Sequence, residues 1–153
     1  MPFALYTPTP VPVETEQPAP AGGPSQAVSA TYATGQQIAE FAKQYVGYPY
    51  VYGAESPEEG FDCSGLVYYV YSQFGYALNR TAAAQALNGI HVDHGSLEPG
   101  DVLCFYTSGS YIGHAGLYLG GGEYIHARDS ASGVVISPLS ERGENYEARR
   151  ILE

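Results

Sequence analysis

Two segments, His114-Ala115-Gly116-Leu117-Tyr118-Leu119 and Glu123-Tyr124-Ile125-His126-Ala127-Arg128, are separated only by Gly120-Gly121-Gly122. Two extended segments joined by so short and flexible a link must double back as an antiparallel hairpin. Face polarity then selects the register. A two-residue loop pairs Leu117 with His126 and Leu119 with Tyr124, which mixes the faces. A three-residue loop pairs Leu119 with Glu123, Leu117 with Ile125 and Ala115 with Ala127. It sets Tyr118 opposite Tyr124, Gly116 opposite His126 and His114 opposite Arg128, and it sorts the chain far better. In this register His114 and His126 are diagonal neighbours on one face, about 7–8 Å apart at the backbone, a gap that imidazoles can bridge. Two unrelated surface histidines remain the competing reading.

The other constraint is helical. After Phe61-Asp62, residues Cys63, Val67, Val70 and Phe74 recur at spacings of four, three and four, widened by Leu66 and Tyr71. That is one stripe of an α-helix. Asp62 suits its N-cap, and Gly75 its stop. Cys63 therefore lies in the first turn, where free amides and the helix dipole favour a thiolate and offer donors to an oxyanion beside the sulfur. The alternative is a small buried apolar residue, the usual fate of a free cysteine. A thiol at a helix start and two histidines on one sheet face have a joint use in acyl transfer: nucleophile, base and orienter. In that use the cysteine face of the helix would pack on the hairpin face that carries the histidines.

Thr34 and Gln37 fit a capping box ahead of Ile38, Phe41, Ala42, Tyr45 and Val46, a first helical stripe ended by Gly47 and Pro49. An extended piece over residues 48–53 leads into a polar loop. Thr81 caps a short helix from Ala82 to about Asn88. Strands are expected at Val102–Tyr106, Gly133–Ser137 and Tyr146–Leu152, with a brief extended piece at Ile90-His91-Val92. His91 and His94 read as solvated loop residues and Cys104 as a buried strand residue; a redox pair of Cys63 with Cys104 is disfavoured. Residues 1–33, rich in Pro, Thr and Ala without periodicity, read as a disordered linker or a tether to an upstream domain. The net charge of −10 with only six Lys and Arg argues against nucleic acid and against an anionic membrane surface. No apolar run is long enough for membrane insertion, and no metal-ligand set is present.

These motifs stand in order: Pro49-Tyr50-Val51-Tyr52-Gly53, Phe61-Asp62-Cys63-Ser64-Gly65-Leu66-Val67, Arg80-Thr81 with Gln85, Pro99-Gly100-Asp101-Val102, His114 to Gly120 and Ile125-His126-Ala127. From about Gln36 to Leu152 the chain resembles the NlpC/p60-type cell-wall cysteine peptidases, a papain-like family. The resemblance implies an α+β, papain-like fold over residues 34–153, with N-terminal helices packed on a C-terminal antiparallel β-sheet. It implies Cys63 as nucleophile, His114 as general base and His126 as the polar third member. Tyr50 matches the tyrosine that helps the oxyanion, and Asp62 and Ser64 match positions that line the substrate groove and hold the free amine of a stem peptide. The role of Arg80 is left open; Arg128 is either a solvated charge or a contact for an acidic substrate group. The implied activity is hydrolysis of bacterial peptidoglycan stem peptides at the γ-D-glutamyl–diamino acid bond, without metal or cofactor, by a secreted or wall-associated monomer. A catalytically silent peptidoglycan-binding module, or another amidase or acyltransferase on the same fold, are the alternatives.

Overall fold

The computed structural model describes residues 33–152; the linker expected over residues 1–33 lies outside the described residues, Ala33 apart. The chain begins with helix α1 (Gly35–Lys43), then strands β1 (Glu55–Ser56) and β2 (Gly60–Phe61), and helices α2 (Cys63–Ser72) and α3 (Ala82–Gln85). Strands β3 (Ile90–Val92), β4 (Val102–Ser108), β5 (Tyr111–Gly120), β6 (Glu123–Ala127), β7 (Val134–Pro138) and β8 (Tyr146–Arg150) follow. The last six form one sheet in the order β3-β8-β4-β5-β6-β7, with every pairing antiparallel. This is the α+β division expected from the sequence.

Local signals set the helix starts. Thr34 and Gln37 form the reciprocal capping box, at 3.1 and 2.9 Å, and the Asp62 side chain accepts from the Gly65 amide at 2.7 Å. Helix α1 stops at Lys43, earlier than its apolar stripe suggests, so Val46 falls in a turn and is 47% exposed. Helix α3 is likewise shorter than expected. The polar loop after residue 53 contains the small β1–β2 hairpin, which periodicity does not reveal because each strand has two residues.

The sheet separates two cores. On one face Leu103, Phe105, Tyr124, Tyr146 and Ala148 pack together, with Val92 and Leu139. Strand parity puts His114 and His126 on this same face, since His114 pairs with Phe105 and Tyr124 precedes His126 by two. Helix α2 lies against β5 and β6, yet no α2 residue belongs to that cluster. It covers the opposite face, where Cys104, Ala115, Leu117, Ile125 and Ala127 are all fully buried. The expectation that the cysteine helix packs on the histidine face is therefore corrected: the histidine face is filled by aromatic rings and closed by the turn Leu139–Arg142.

The glycine hairpin keeps Leu117 opposite Ile125 and Tyr118 opposite Tyr124, as read. The pairing then shifts, and Gly120, not Leu119, meets Glu123. The loop is thus two residues, Gly121 and Gly122, both at positive φ (62° and 80°), behind a bulge. A bulge absorbs the odd residue and preserves face parity where a plain two-residue loop would have inverted it.

Beside this hairpin end the start of α1 meets the turn into β4. A Cβ on Gly35 would lie 2.0 Å from the carbonyl oxygen of Pro99, and the Tyr71 hydroxyl of α2 donates to the Gly100 carbonyl. Backbone on backbone leaves no side chain to yield. Gly35→Ala is expected to lower the unfolding free energy by about 1–3 kcal/mol in denaturant titrations, although alanine is the better helix former by about 0.5–1 kcal/mol.

Candidate active site

Cys63 opens α2 because its predecessor holds the chain. Phe61 donates to the Pro49 carbonyl at 3.1 Å, Val51 donates to the Phe61 carbonyl at 3.0 Å, and Asp62 donates to the Ala54 carbonyl at 3.0 Å. These bonds lay the Tyr50 segment alongside the helix start and bring Tyr50, Asp62, Cys63 and Ser64 to the wall of one groove of about 510 Å³. Tyr52, Arg80 and Tyr111 also line it.

The Asp62 carboxylate is nearly buried, so it needs every accepting position filled. One oxygen takes the Gly65 amide at 2.7 Å and faces the Ser64 hydroxyl at 3.5 Å. The other takes the Gly53 amide at 2.8 Å and Arg80 Nη2 at 3.1 Å. Arg80 also reaches Glu55 at 2.6 Å, the Ser64 hydroxyl at 2.9 Å and the Ala54 carbonyl at 3.2 Å. Its side chain thereby ties the β1 strand, the helix start and the loop before α3 together. Gln85, fully buried on α3, adds bonds to the carbonyls of Ser64 (3.0 Å) and Asn79 (2.9 Å).

On the sheet, His114 Nε2 and His126 Nδ1 are 2.8 Å apart, and His126 Nε2 is 2.9 Å from the Ser137 hydroxyl. This chain of bonds has a consistent tautomer: Nε2–H of His114 donates to His126, and Nε2–H of His126 donates to Ser137, which leaves Nδ1 of His114 with its lone pair. His126 is fully buried and lies tilted at 36° against the Tyr124 ring, with centroids 4.3 Å apart. The Tyr124 hydroxyl is held in turn by Glu141 (2.7 Å) and Arg142 (2.9 Å).

One contact ties the helix start to β5 beside His114. The β5–β6 ladder begins only at Leu117 and Ile125. Short of that pair, the backbone amide of Ala115, the residue after His114, points at the Cys63 sulfur. The amide that meets the sulfur thus belongs to the residue next to His114.

Burial dominates the electrostatics. It pushes the Cys63 thiol above its ordinary value of 9; the Ala115 and Ser64 amides pull the other way without overcoming it, and Asp62 adds to the rise. The amides thus favour the thiolate in the expected direction, but burial outweighs them and the net shift is upward. Burial likewise lowers His114 to about 4, with Arg142 and Arg128 pushing in the same direction and Asp129 and Glu141 against it. His126 is lowered by burial and by its neighbour His114. At neutral pH the group consists of a thiol and two neutral imidazoles.

Sequence reasoning did not find Ser137 or the Arg80 partners; a serine among β7's apolar residues was the only signal for the first. Arg128 is half exposed, 3.7 Å from Asp129. His91 and His94 lie outside the groove but are not idle: His91 pairs with Glu147 at 2.9 Å, and His94 stacks on Tyr146 and bonds its carbonyl at 2.9 Å. Cys104 is buried and unpaired, and burial drives its thiol to about 12. Among the described residues no cluster of His, Cys, Asp and Glu has metal-holding geometry, and no helix is long and apolar enough to cross a membrane.

Comparison with known proteins places these features. The profile of the NlpC/P60 family matches residues 47–152. A probable endopeptidase of Corynebacterium glutamicum is 39% identical over 123 residues, covering 80% of this chain and 54% of its own length. A gamma-DL-glutamyl hydrolase of Bacillus subtilis is 46% identical over 108 residues, covering 68% of this chain and 25% of its own length. The solved structure of the peptidoglycan hydrolase RipB from Mycobacterium tuberculosis aligns with a TM-score of 0.66 at 28% identity, covering 88% of this chain and 75% of that one. The chain therefore spans about half or less of the length of the two sequence relatives.

The protonated resting thiol has a direct readout. The rate of Cys63 alkylation by iodoacetamide is expected to climb with pH and to keep climbing past pH 9, because only the thiolate reacts. A rate already at its plateau near pH 6 would reverse this assignment.

Proposed function

The chain belongs to the NlpC/P60 family, and on that premise we propose that it is a cysteine endopeptidase that hydrolyses peptidoglycan stem peptides at the γ-D-glutamyl–diamino acid bond. The observation that carries the reading is the 2.8 Å bond between His114 and His126, set one residue from the amide that meets the Cys63 sulfur. The name of the Bacillus subtilis relative, a gamma-DL-glutamyl hydrolase, supports the γ-glutamyl bond; that of the mycobacterial structure supports peptidoglycan. Such a substrate places the work outside the cell, at the wall.

The proposed steps follow from the tautomers. Nδ1 of His114 takes the thiol proton as Sγ adds to the scissile carbonyl carbon. The oxyanion is received by the free amides of the first turn of α2 and by the Tyr50 hydroxyl, which burial keeps protonated beside Cys63. When the C–N bond breaks, the His114 imidazolium gives its proton to the departing amine, and a thioester on Cys63 remains. Water then adds to the thioester carbonyl, with His114 taking its proton. The thiolate leaves and recovers that proton, and the acid product departs. His126 holds His114 in the tautomer that exposes Nδ1 and accepts from Nε2–H more strongly while the ring is charged; Ser137 fixes His126 in the complementary tautomer.

Purified muropeptides are expected to be cut by the wild type and left intact by Cys63→Ala, with the new amine and carboxyl ends read by mass spectrometry. His114→Ala should lower kcat/KM by about 10³-fold or more, and Tyr50→Phe by about 10²-fold. Activity of Cys63→Ala equal to wild type removes the thiol from the reaction.

A second expectation concerns pH. The base must be neutral to accept the thiol proton, and its folded value is depressed to about 4. The acid limb of kcat/KM should therefore lie near pH 4 and not near the ordinary imidazole value of 6.5. A limb centred near 6.5 would show an unperturbed His114.

A further inference from the structure

Each histidine of the pair is backed by one aromatic ring. Phe105 of β4 lies at 34° to His114 with centroids 5.7 Å apart, and Tyr124 of β6 lies at 36° to His126 with centroids 4.3 Å apart. The centroids of the two backing rings are 5.0 Å from each other. One side chain holds both of them. The guanidinium carbon of Arg142 stands over the Phe105 ring, 4.6 Å from its centre, and Arg142 Nε donates to the Tyr124 hydroxyl at 2.9 Å. That hydroxyl gives its own proton to Glu141 at 2.7 Å, so it is held from two sides. Arg142 has a firm base. It ends the turn Leu139–Arg142, and Leu139 is buried in the same core and donates to the Gly122 carbonyl at 2.8 Å.

We propose that Arg142 is a positioning residue for the histidine pair: by clamping Phe105 and Tyr124 together it fixes the two rings on which His114 and His126 rest. This rests on the peptidase reading above and adds to it a residue that stands outside the groove lining. The 2.8 Å bond between the imidazoles depends on where both rings sit, and each ring is placed by what lies behind it. The clamp also carries a charge, and a guanidinium keeps that charge at any working pH. It opposes a second positive charge on either imidazole. Burial is the main cause of the low His114 value of about 4; Arg142 is the largest charged cause, ahead of Arg128, while Asp129 and Glu141 act the other way. His126 is lowered by burial and His114 first, then by Arg142 and Arg128, with Asp129 opposed. The other titratable groups packed about the pair are neutral there. Burial holds the Tyr124 and Tyr146 hydroxyls and the Cys63 thiol protonated, and Ser137 carries no charge. A base that stays neutral in acid keeps working where an ordinary histidine is already protonated, so the clamp extends activity toward low pH.

Arg142→Met removes the donor and the charge together, and its fold is checked by near-ultraviolet circular dichroism. Two measurements decide the matter: NMR titration of the histidine rings, which needs no substrate, and the pH profile of cleavage of a synthetic stem peptide. In Arg142→Met the His114 midpoint and the acid limb of kcat/KM are both expected to rise by about one pH unit. The kcat should fall about tenfold while KM stays as in the wild type, because Arg142 does not line the groove. Arg142→Lys restores the charge and should bring the midpoint and the limb back. Glu141→Gln removes the opposing charge and must not move either one upward. A folded Arg142→Met with wild-type kcat and limb overturns the inference. So does a fall in kcat with midpoint and limb unmoved, the mark of a merely structural residue. A folded Arg142→Lys that titrates like Arg142→Met overturns it too, as does an upward shift in Glu141→Gln. No cleavage of the peptide by the wild type overturns the peptidase reading and, with it, the reaction this residue serves, whereas wild-type cleavage together with any of those four results removes only this inference.

Discussion

A carboxylate taken out of water is tolerated only when its accepting positions are filled, and that requirement at Asp62 organises the first half of the domain. The groups that fill them come from separate stretches: the loop at Gly53, the helix amide of Gly65, the adjoining Ser64 and, from across the groove, Arg80. Each bond that relieves the carboxylate also fixes a piece of the groove. The cap sets where α2 begins and so where Cys63 stands. The Gly53 contact holds the turn that follows Tyr50, and Arg80 draws in β1 and the approach to α3. Helix and groove are thus two results of satisfying one anion.

The sheet supplies the other half of the geometry. While β5 and β6 remain zipped, from Leu117 onward, their amides serve one another. Ahead of that stretch, the Ala115 amide is turned to the sulfur of a helix lying on the far face. The histidines do not cross the sheet to meet the cysteine. They stay among Phe105 and Tyr124, with Arg142 above the Phe105 ring at 4.6 Å.

What could be read from the sequence follows the range of the interaction. Caps at Thr34 and Asp62 involve residues three apart, and they read correctly because the chemistry is local. The Leu117–Ile125 register was legible because only one alignment kept both faces consistent. The bulge at its end escaped, since glycines carry no polarity to sort. The face covered by α2 was misjudged for a different reason: a stripe shows that a helix is buried on one side, not which side of a sheet receives it. Arg80 could be named from its motif, but its carboxylate partners lie 18 and 25 positions away and no periodicity connects them. The burial that raises the Cys63 thiol, and outweighs the Ala115 and Ser64 amides, likewise has no signature in a linear reading.

That protonated sulfur has a consequence for endurance. Peroxides and hypohalous acids oxidise thiolates far faster than thiols, and the first product, a sulfenic acid, is the gateway to irreversible loss. Cys104, the other sulfur in the domain, sits sealed in β4 and is protonated still more firmly, so it is no ready partner for a damaging disulfide. Under the proposed mechanism, a sulfur that stays protonated until a substrate carbonyl arrives would idle in an oxidising environment without rusting.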